Sequence, residues 1–132
     1  MLFIPFSQIC RALNKIKLPE CDLVVGISDG GTVPASLTAA MLGCDLKIVK
    51  FSYRGPDNAP IHPEPKCLNG FVLPAGVKKV LLVDDVSVSG KTLVAAARLL
   101  KDCRVVTFVF KGQADHVLFP EIKECVDWPW KA

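Results

Sequence analysis

Several things are scarce in this chain, and each scarcity removes a class of function. Charge of one sign is scarce. Sixteen Lys and Arg against thirteen Asp and Glu leave a formal charge of +3. Nucleic-acid binders carry a strong, clustered basic face, so a nucleic-acid partner is not expected. The mild charge does not repel an anionic small molecule. Long apolar runs are also missing. None approaches the roughly 18 residues of a membrane helix, so no membrane partner is expected. The start, MLFIPFSQICRALNK, has no basic leader and no small-residue cleavage site, and does not read as a signal peptide. Metal-ligand spacing is absent. The six cysteines, Cys10, Cys21, Cys44, Cys67, Cys103 and Cys125, form no Cys-x-x-Cys pair, and His62 and His116 lie far apart. A structural zinc site is therefore not expected. The cysteines read as buried, reduced thiols of a cytoplasmic protein. There is no repeat and no low-complexity tract.

What is present is a globular composition. The chain has 132 residues, 51% hydrophobic and 22% charged. That suits one domain, 1–132, with a real core. Ser7 is placed to cap a first helix whose apolar residues Ile9, Ala12, Leu13 and Ile16 keep helical spacing, with Pro19 ending it. DLVVGI (22–27) reads as a buried strand, followed by SDGG. Thr32 caps a second helix, with Pro34 in its first turn, Val33, Leu37, Ala40 and Met41 on one face, and Gly43 at its end. DLKIVKF (45–51) is a second strand. Residues 52–70 hold four prolines and two glycines and no apolar period. They read as a long loop with a short hairpin near its end, and loops of that length usually serve a function. KKVLLVD (78–84) is a third strand. Gly90 opens a helix with Leu93, Ala96, Ala97 and Leu100 on one face, and RVVTFVF (104–110) is a fourth strand. The alternation predicts an α/β fold: a parallel twisted sheet with flanking helices. Ligands of such sheets bind beyond the carboxyl ends of the strands, where SDGG and DDVSVSG both lie.

The stretch VLLVDDVSVSGKTL (80–93) carries the most chemistry. The segment Val86, Ser87, Val88, Ser89, Gly90, Lys91, Thr92 runs from strand to helix. Backbone N–H groups and the helix dipole favour an anion there. Ser87, Ser89 and Thr92 add hydroxyl donors, so the loop suits a phosphate monoester. Gly-Lys-Thr suggests an ATPase P-loop, but that motif needs a glycine five residues before Gly90, and Asp85 stands there. Asp84 and Asp85 instead suit the two hydroxyls of a cis-diol. Together the pieces describe a holder for ribose 5-phosphate.

With those residues in place, the stretch resembles the 5-phosphoribosyl pyrophosphate (PRPP) signature of type I phosphoribosyltransferases. The resemblance extends along the chain. VVGISDGGTVPA (24–35) is similar to the family's pyrophosphate loop, which implies that Ser28, Asp29, Gly30 and Gly31 bind pyrophosphate. The loop at 52–70 sits where the family has a lid, and Ser52 and Tyr53 resemble its Ser-Tyr pair. Lys111 resembles the lysine that holds a purine oxo group. WPW (128–130) resembles the Pro-Trp ending of short xanthine/guanine/hypoxanthine enzymes, with Trp128 as a base contact. The resemblance implies a five-stranded parallel core with a minimal hood, and a homo-oligomer. It implies transfer of 5-phosphoribosyl from PRPP to a nucleobase, purine-like for preference, with release of pyrophosphate, as in nucleotide salvage. Asp84 and Asp85 would be the catalytic and Mg2+-binding acids.

Three positions depart from the purine enzymes. Asp29 stands where relatives often carry Arg or Lys. Like charges 4 Å apart cost about 1 kcal/mol in water and about 4 at an effective dielectric of 20. Val88 replaces an Asp that handles a base proton, a role worth roughly 10²- to 10⁴-fold. Cys125 stands where a base-stacking Trp is expected, a contact worth about 1–3 kcal/mol. These departures motivate a second reading, a regulatory module that binds PRPP or nucleotide without turnover.

Overall fold

A computed structural model describes residues 1–52, 66–67 and 70–131. In chain order the elements are β1 (Leu2–Phe3), α1 (Phe6–Lys15), β2 (Leu23–Ser28), α2 (Thr32–Leu42), β3 (Asp45–Ser52), β4 (Lys66–Cys67), β5 (Lys79–Ser87), α3 (Lys91–Arg98), β6 (Arg104–Gly112), β7 (His116–Val117) and β8 (Val126–Asp127). The main sheet has the order β4-β3-β2-β5-β6-β7. Its strands β3, β2, β5, β6 and β7 run parallel, and β4 returns antiparallel on the edge. The expected α/β fold with five parallel strands is therefore present. The pairing of Phe51 with Cys67 and of Ser52 with Lys66 ties together the two ends of the loop read from the sequence. Tyr53, Arg54 and His62 lie outside the described residues, as does the rest of the expected lid at 53–65.

Burial follows from position in the sheet. The apolar run of β2 is buried on both faces because strands and helices surround it. On β5, alternate residues serve opposite faces. Leu81 and Val83 join Ile9, Leu13, Val24, Ala35, Phe108, Phe110 and Trp128 on the face covered by α1, α2 and the aromatic tail. Val80 and Leu82 join Leu23, Val25, Leu93, Ala96 and Leu100 on the face covered by α3.

Several local expectations need correction. Ser7 is exposed inside the first turn of α1; Pro5 is the cap, and its carbonyl accepts from Gln8 and Ile9. That helix ends at Lys15, well before Pro19. Thr32 is the first residue of α2, and Gly31 is the cap. α2 buries Pro34, Ala35, Thr38 and Ala39 most deeply; of the expected face, Leu37 and Met41 pack half-buried against the core and Ala40 is exposed. Small residues win because the helix lies close to the sheet: a Cβ on Gly26 would come within 2.5 Å of the Ala35 Cβ. The cysteines are not uniformly buried. Cys10 and Cys125 are exposed, while Cys21 and Cys44 sit half-buried with their sulfurs 3.4 Å apart. No helix among the described residues is long and apolar enough to cross a membrane.

The sheet order also locates a crevice. From β2 the chain moves outward to β3, then returns to place β5 on the other side of β2. Strand order reverses between β2 and β5, and a ligand crevice forms at the carboxyl ends where that happens.

Candidate active site

Two loops meet at this reversal. One follows β2. The Ser28–Asp29 peptide is cis, the Ser28 hydroxyl donates to Asp29 Oδ1 at 2.6 Å, and the Asp29 side chain is exposed. The Gly31 N–H donates to the Ile27 carbonyl at 2.7 Å, and Thr32 N–H to the Asp29 carbonyl at 3.1 Å. The Gly31 amide is thus spent inside the turn, which corrects the expectation that all the amides from Ser28 to Gly31 face a ligand. Lys50 stands beside Ser28 in the β2–β3 register, at the same end of the sheet.

The other loop follows β5, whose strand continues through both acids to Ser87, paired with Gly112 of β6. The two loops touch through one contact that no sequence pattern reports. A Cβ on Gly30 would lie 2.6 Å from both carboxylate oxygens of Asp85. Only a glycine lets the first loop approach the acid so closely.

The structure separates two acids that look alike in sequence. Asp85 is 7% exposed. Its Oδ1 accepts from the Val86 N–H at 2.8 Å, and its Oδ2 pairs with Lys131 Nζ at 3.1 Å. Asp84 is half-buried, and its Oδ1 accepts from the Asp85 N–H at 2.8 Å. Burial first, then the neighbouring Asp85 charge, push the Asp84 carboxyl up to about 8. The pair is therefore short of positive charge, and Asp84 is the acid that opens onto free space.

That space is a cavity of about 180 Å3 lined by Asp84, Val86 to Thr92 and Leu93. Gly90 caps α3 in the left-handed region at φ +78°, and its carbonyl accepts from Val94 N–H. Lys91 N–H donates to Ser89 Oγ at 3.3 Å. Ser87 lines the cavity, and its Oγ is buried with no hydrogen-bond partner among the described residues. A buried hydroxyl without a partner is costly. Val88 is 81% exposed at the rim.

A second cavity of about 190 Å3 shares Ser87 and Val88 with the first. Lys111 lines it beside Gln113, Pro120, Ile122 and Lys123. The last four were not found from the sequence, because segment 113–123 has no periodicity to announce them. Trp128 does not line it. That ring is 1% exposed, with Trp130 stacked at 5.2 Å on one side and Phe119 at 6.5 Å. The expected base contact is instead a core residue, because β8 pairs with β1 and carries the tail under the sheet. Cys125 is exposed just before β8. A larger cavity of about 290 Å3 lies at the opposite end of the strands, against Cys21, Lys79 and Arg104, far from the two loops.

The donor set suits magnesium. Asp84 and Asp85 offer hard carboxylate oxygens, and Mg2+ is typically held by one or two carboxylates plus substrate oxygens. No group of three or more metal-ligating side chains occurs among the described residues.

A strand-loop-helix unit around a cavity, beside an acid pair at the switch point of a parallel sheet, is the frame of a ligand-binding α/β domain. The family model for the phosphoribosyl transferase domain matches residues 7–131. The chain belongs to that family, with the type I fold. It is 30% identical over 90 residues to an orotate phosphoribosyltransferase of Sulfurisphaera tokodaii, a match spanning 68% of this chain and 42% of that protein. It is similar in fold to a purine phosphoribosyltransferase from Pyrococcus horikoshii (TM-score 0.80, 21% identity, 99% of this chain and 93% of that one). It also resembles the Helicobacter pylori xanthine-guanine-hypoxanthine enzyme (TM-score 0.76, 14% identity, 98% and 92%).

Proposed function

We propose that this protein transfers the 5-phosphoribosyl group of PRPP to a ring nitrogen of a nucleobase and releases pyrophosphate. The observation that carries the reading is the contact between the two loops. The pyrophosphate-side turn and the ribose-side acid meet at Gly30 and Asp85, so the two halves of one PRPP molecule would lie across a single crevice.

The roles follow from the geometry. The hydroxyls of Ser87, Ser89 and Thr92 and the amides opening α3 bind the 5-phosphate. Asp84 and Asp85 accept from the ribose hydroxyls and would hold Mg2+ with them. When bound, that ion would offset the charge developing on the leaving pyrophosphate. The first loop keeps the pyrophosphate at the far side of C1. The bond from C1 to pyrophosphate oxygen breaks as the bond to base nitrogen forms, through an oxocarbenium-like state. Positioning and electrostatics supply most of the acceleration.

The base would occupy the second cavity. Its polar lining comprises Lys111 and Lys123, which only donate, with Gln113 and Ser87, and its apolar walls include Pro120 and Ile122. That lining favours a flat base bearing carbonyl oxygens, so an oxopurine is the preferred acceptor. Xanthine, guanine and hypoxanthine, the bases named for the Helicobacter pylori enzyme, and orotate all carry such oxygens. Pyrophosphate release from PRPP and magnesium, measured against a panel of purine and pyrimidine bases, tests this. Release with an oxo base is expected. Tight PRPP binding with no release for any base would instead establish the regulatory module.

A further inference from the structure

The C-terminal strap ends on the acid pair. Its path is fixed, not loose. β8 pairs with β1, Trp128 is buried, and Trp130 stacks on it with ring planes 7° apart while also meeting Phe110 edge-on. The Lys131 N–H closes a turn onto the Trp128 carbonyl at 3.1 Å. The next atoms out are the Lys131 side chain, whose ammonium stands 3.1 Å from Asp85 Oδ2. The aromatic anchor thus brings a positive charge to a carboxylate whose side chain is only 11% exposed.

We propose that Lys131 is a built-in counter-ion of the acid pair, which sets how tightly the pair binds a divalent cation. This rests on the reading of Asp84 and Asp85 as the Mg2+-binding acids. The ammonium and a metal ion compete for the same negative charge. Half of the Lys131 side chain is solvent-exposed (51%), so the lysine can swing away without disturbing the core. In the resting protein it satisfies Asp85; on arrival of the cation and the ribose hydroxyls it withdraws. Lys131 is a positioning residue in this scheme, because it touches the acid and not the substrate.

Mn2+ serves as the probe, titrated against the full chain without PRPP and followed by the electron paramagnetic resonance of the free ion. Lys131→Met removes the charge and keeps the length. Lys131→Arg keeps the charge. Removing one screened charge a few ångströms away should tighten Mn2+ binding about 3- to 10-fold in Lys131→Met. Lys131→Arg should stay within about twofold of wild type. A merely structural lysine would not produce that split, and thermal melting of both variants checks that the fold is intact. Equal Mn2+ affinity in wild type and Lys131→Met, or no measurable binding in either, overturns the proposal. Turnover assayed in parallel separates it from the function itself. Turnover with unchanged Mn2+ affinity removes only the role of Lys131. Tighter Mn2+ binding in Lys131→Met with no turnover for any base keeps that role and removes the reaction.

Discussion

Replacing Gly30 with alanine should damage the site by pressing directly on a carboxylate of the acid pair. The added Cβ would sit 2.6 Å from each Asp85 oxygen and 2.7 Å from the carboxylate carbon. Ordinary contacts of this kind start near 3.4 Å, so something must move by roughly 0.8 Å. Asp85 has little freedom to do so. One oxygen is bonded to the Val86 N–H and the other to Lys131. Shifting it breaks at least one of these bonds, and overpacking of this kind costs about 1–3 kcal/mol. The effect on catalysis should exceed the effect on folding, since a misplacement near 1 Å can cost about 10²-fold in rate. Gly30→Ala should therefore lower the denaturation midpoint modestly and reduce pyrophosphate release about 100-fold. Urea titration with unchanged slope, alongside single-base turnover, measures both. Full turnover in a stably folded Gly30→Ala would refute the claim that the two loops share one site through this contact.

Other outcomes follow from the same geometry. The Asp84 carboxyl is raised from 3.8 to about 8 in the folded protein by burial and by Asp85. The native state thus keeps a proton that the unfolded chain loses, and stability drains away as pH rises from about 4 to about 8. Asp84→Asn should match wild type near pH 4 and exceed it by at least about 1 kcal/mol, the worth of one pKa unit, at pH 8. A pH-independent difference would contradict the assignment. Lys111→Met should raise the KM for the preferred base about tenfold or more and leave PRPP affinity unchanged, as steady-state kinetics would show. Among Cys10, Cys21, Cys44, Cys103 and Cys125, thiol labelling at neutral pH should modify Cys10 and Cys125 first, both being exposed. Cys21, whose thiol is pushed up to about 12 by burial and by Cys44, should react last, and mass spectrometry reads the order.

The chemistry of this site was legible where it is written in consecutive residues. The acids, the serines and Gly90 sit within one strand-loop-helix unit, so residue type and spacing alone bring them to one cavity. The long buried strands were legible for the same reason: short apolar runs such as residues 80–83 identify a central parallel strand. What failed was short or distant. β1, β7 and β8 have two residues each, too few for any period. The face of α2 was misread because its contact residues are small, and hydrophobic spacing favours Leu37 and Met41 over Ala35 and Ala39. Trp128 was expected at the base because the sequence ending resembles that of enzymes with such a contact. The β1–β8 pairing, more than 120 positions apart in the chain, instead folds the ring into the core. The Gly30–Asp85 and Lys131–Asp85 contacts also join distant segments, and no local pattern encodes them.

The central claim is that the acid pair and its loop form the PRPP site, and Asp85→Asn tests it most directly. This change keeps shape and volume while removing the charge that faces Gly30 and Lys131. Nucleotide formation from PRPP, magnesium and the preferred base should fall at least about 100-fold, the scale on which removal of one electrostatic group acts, in a variant that melts within a few degrees of wild type. Turnover equal to wild type in that variant would contradict the claim.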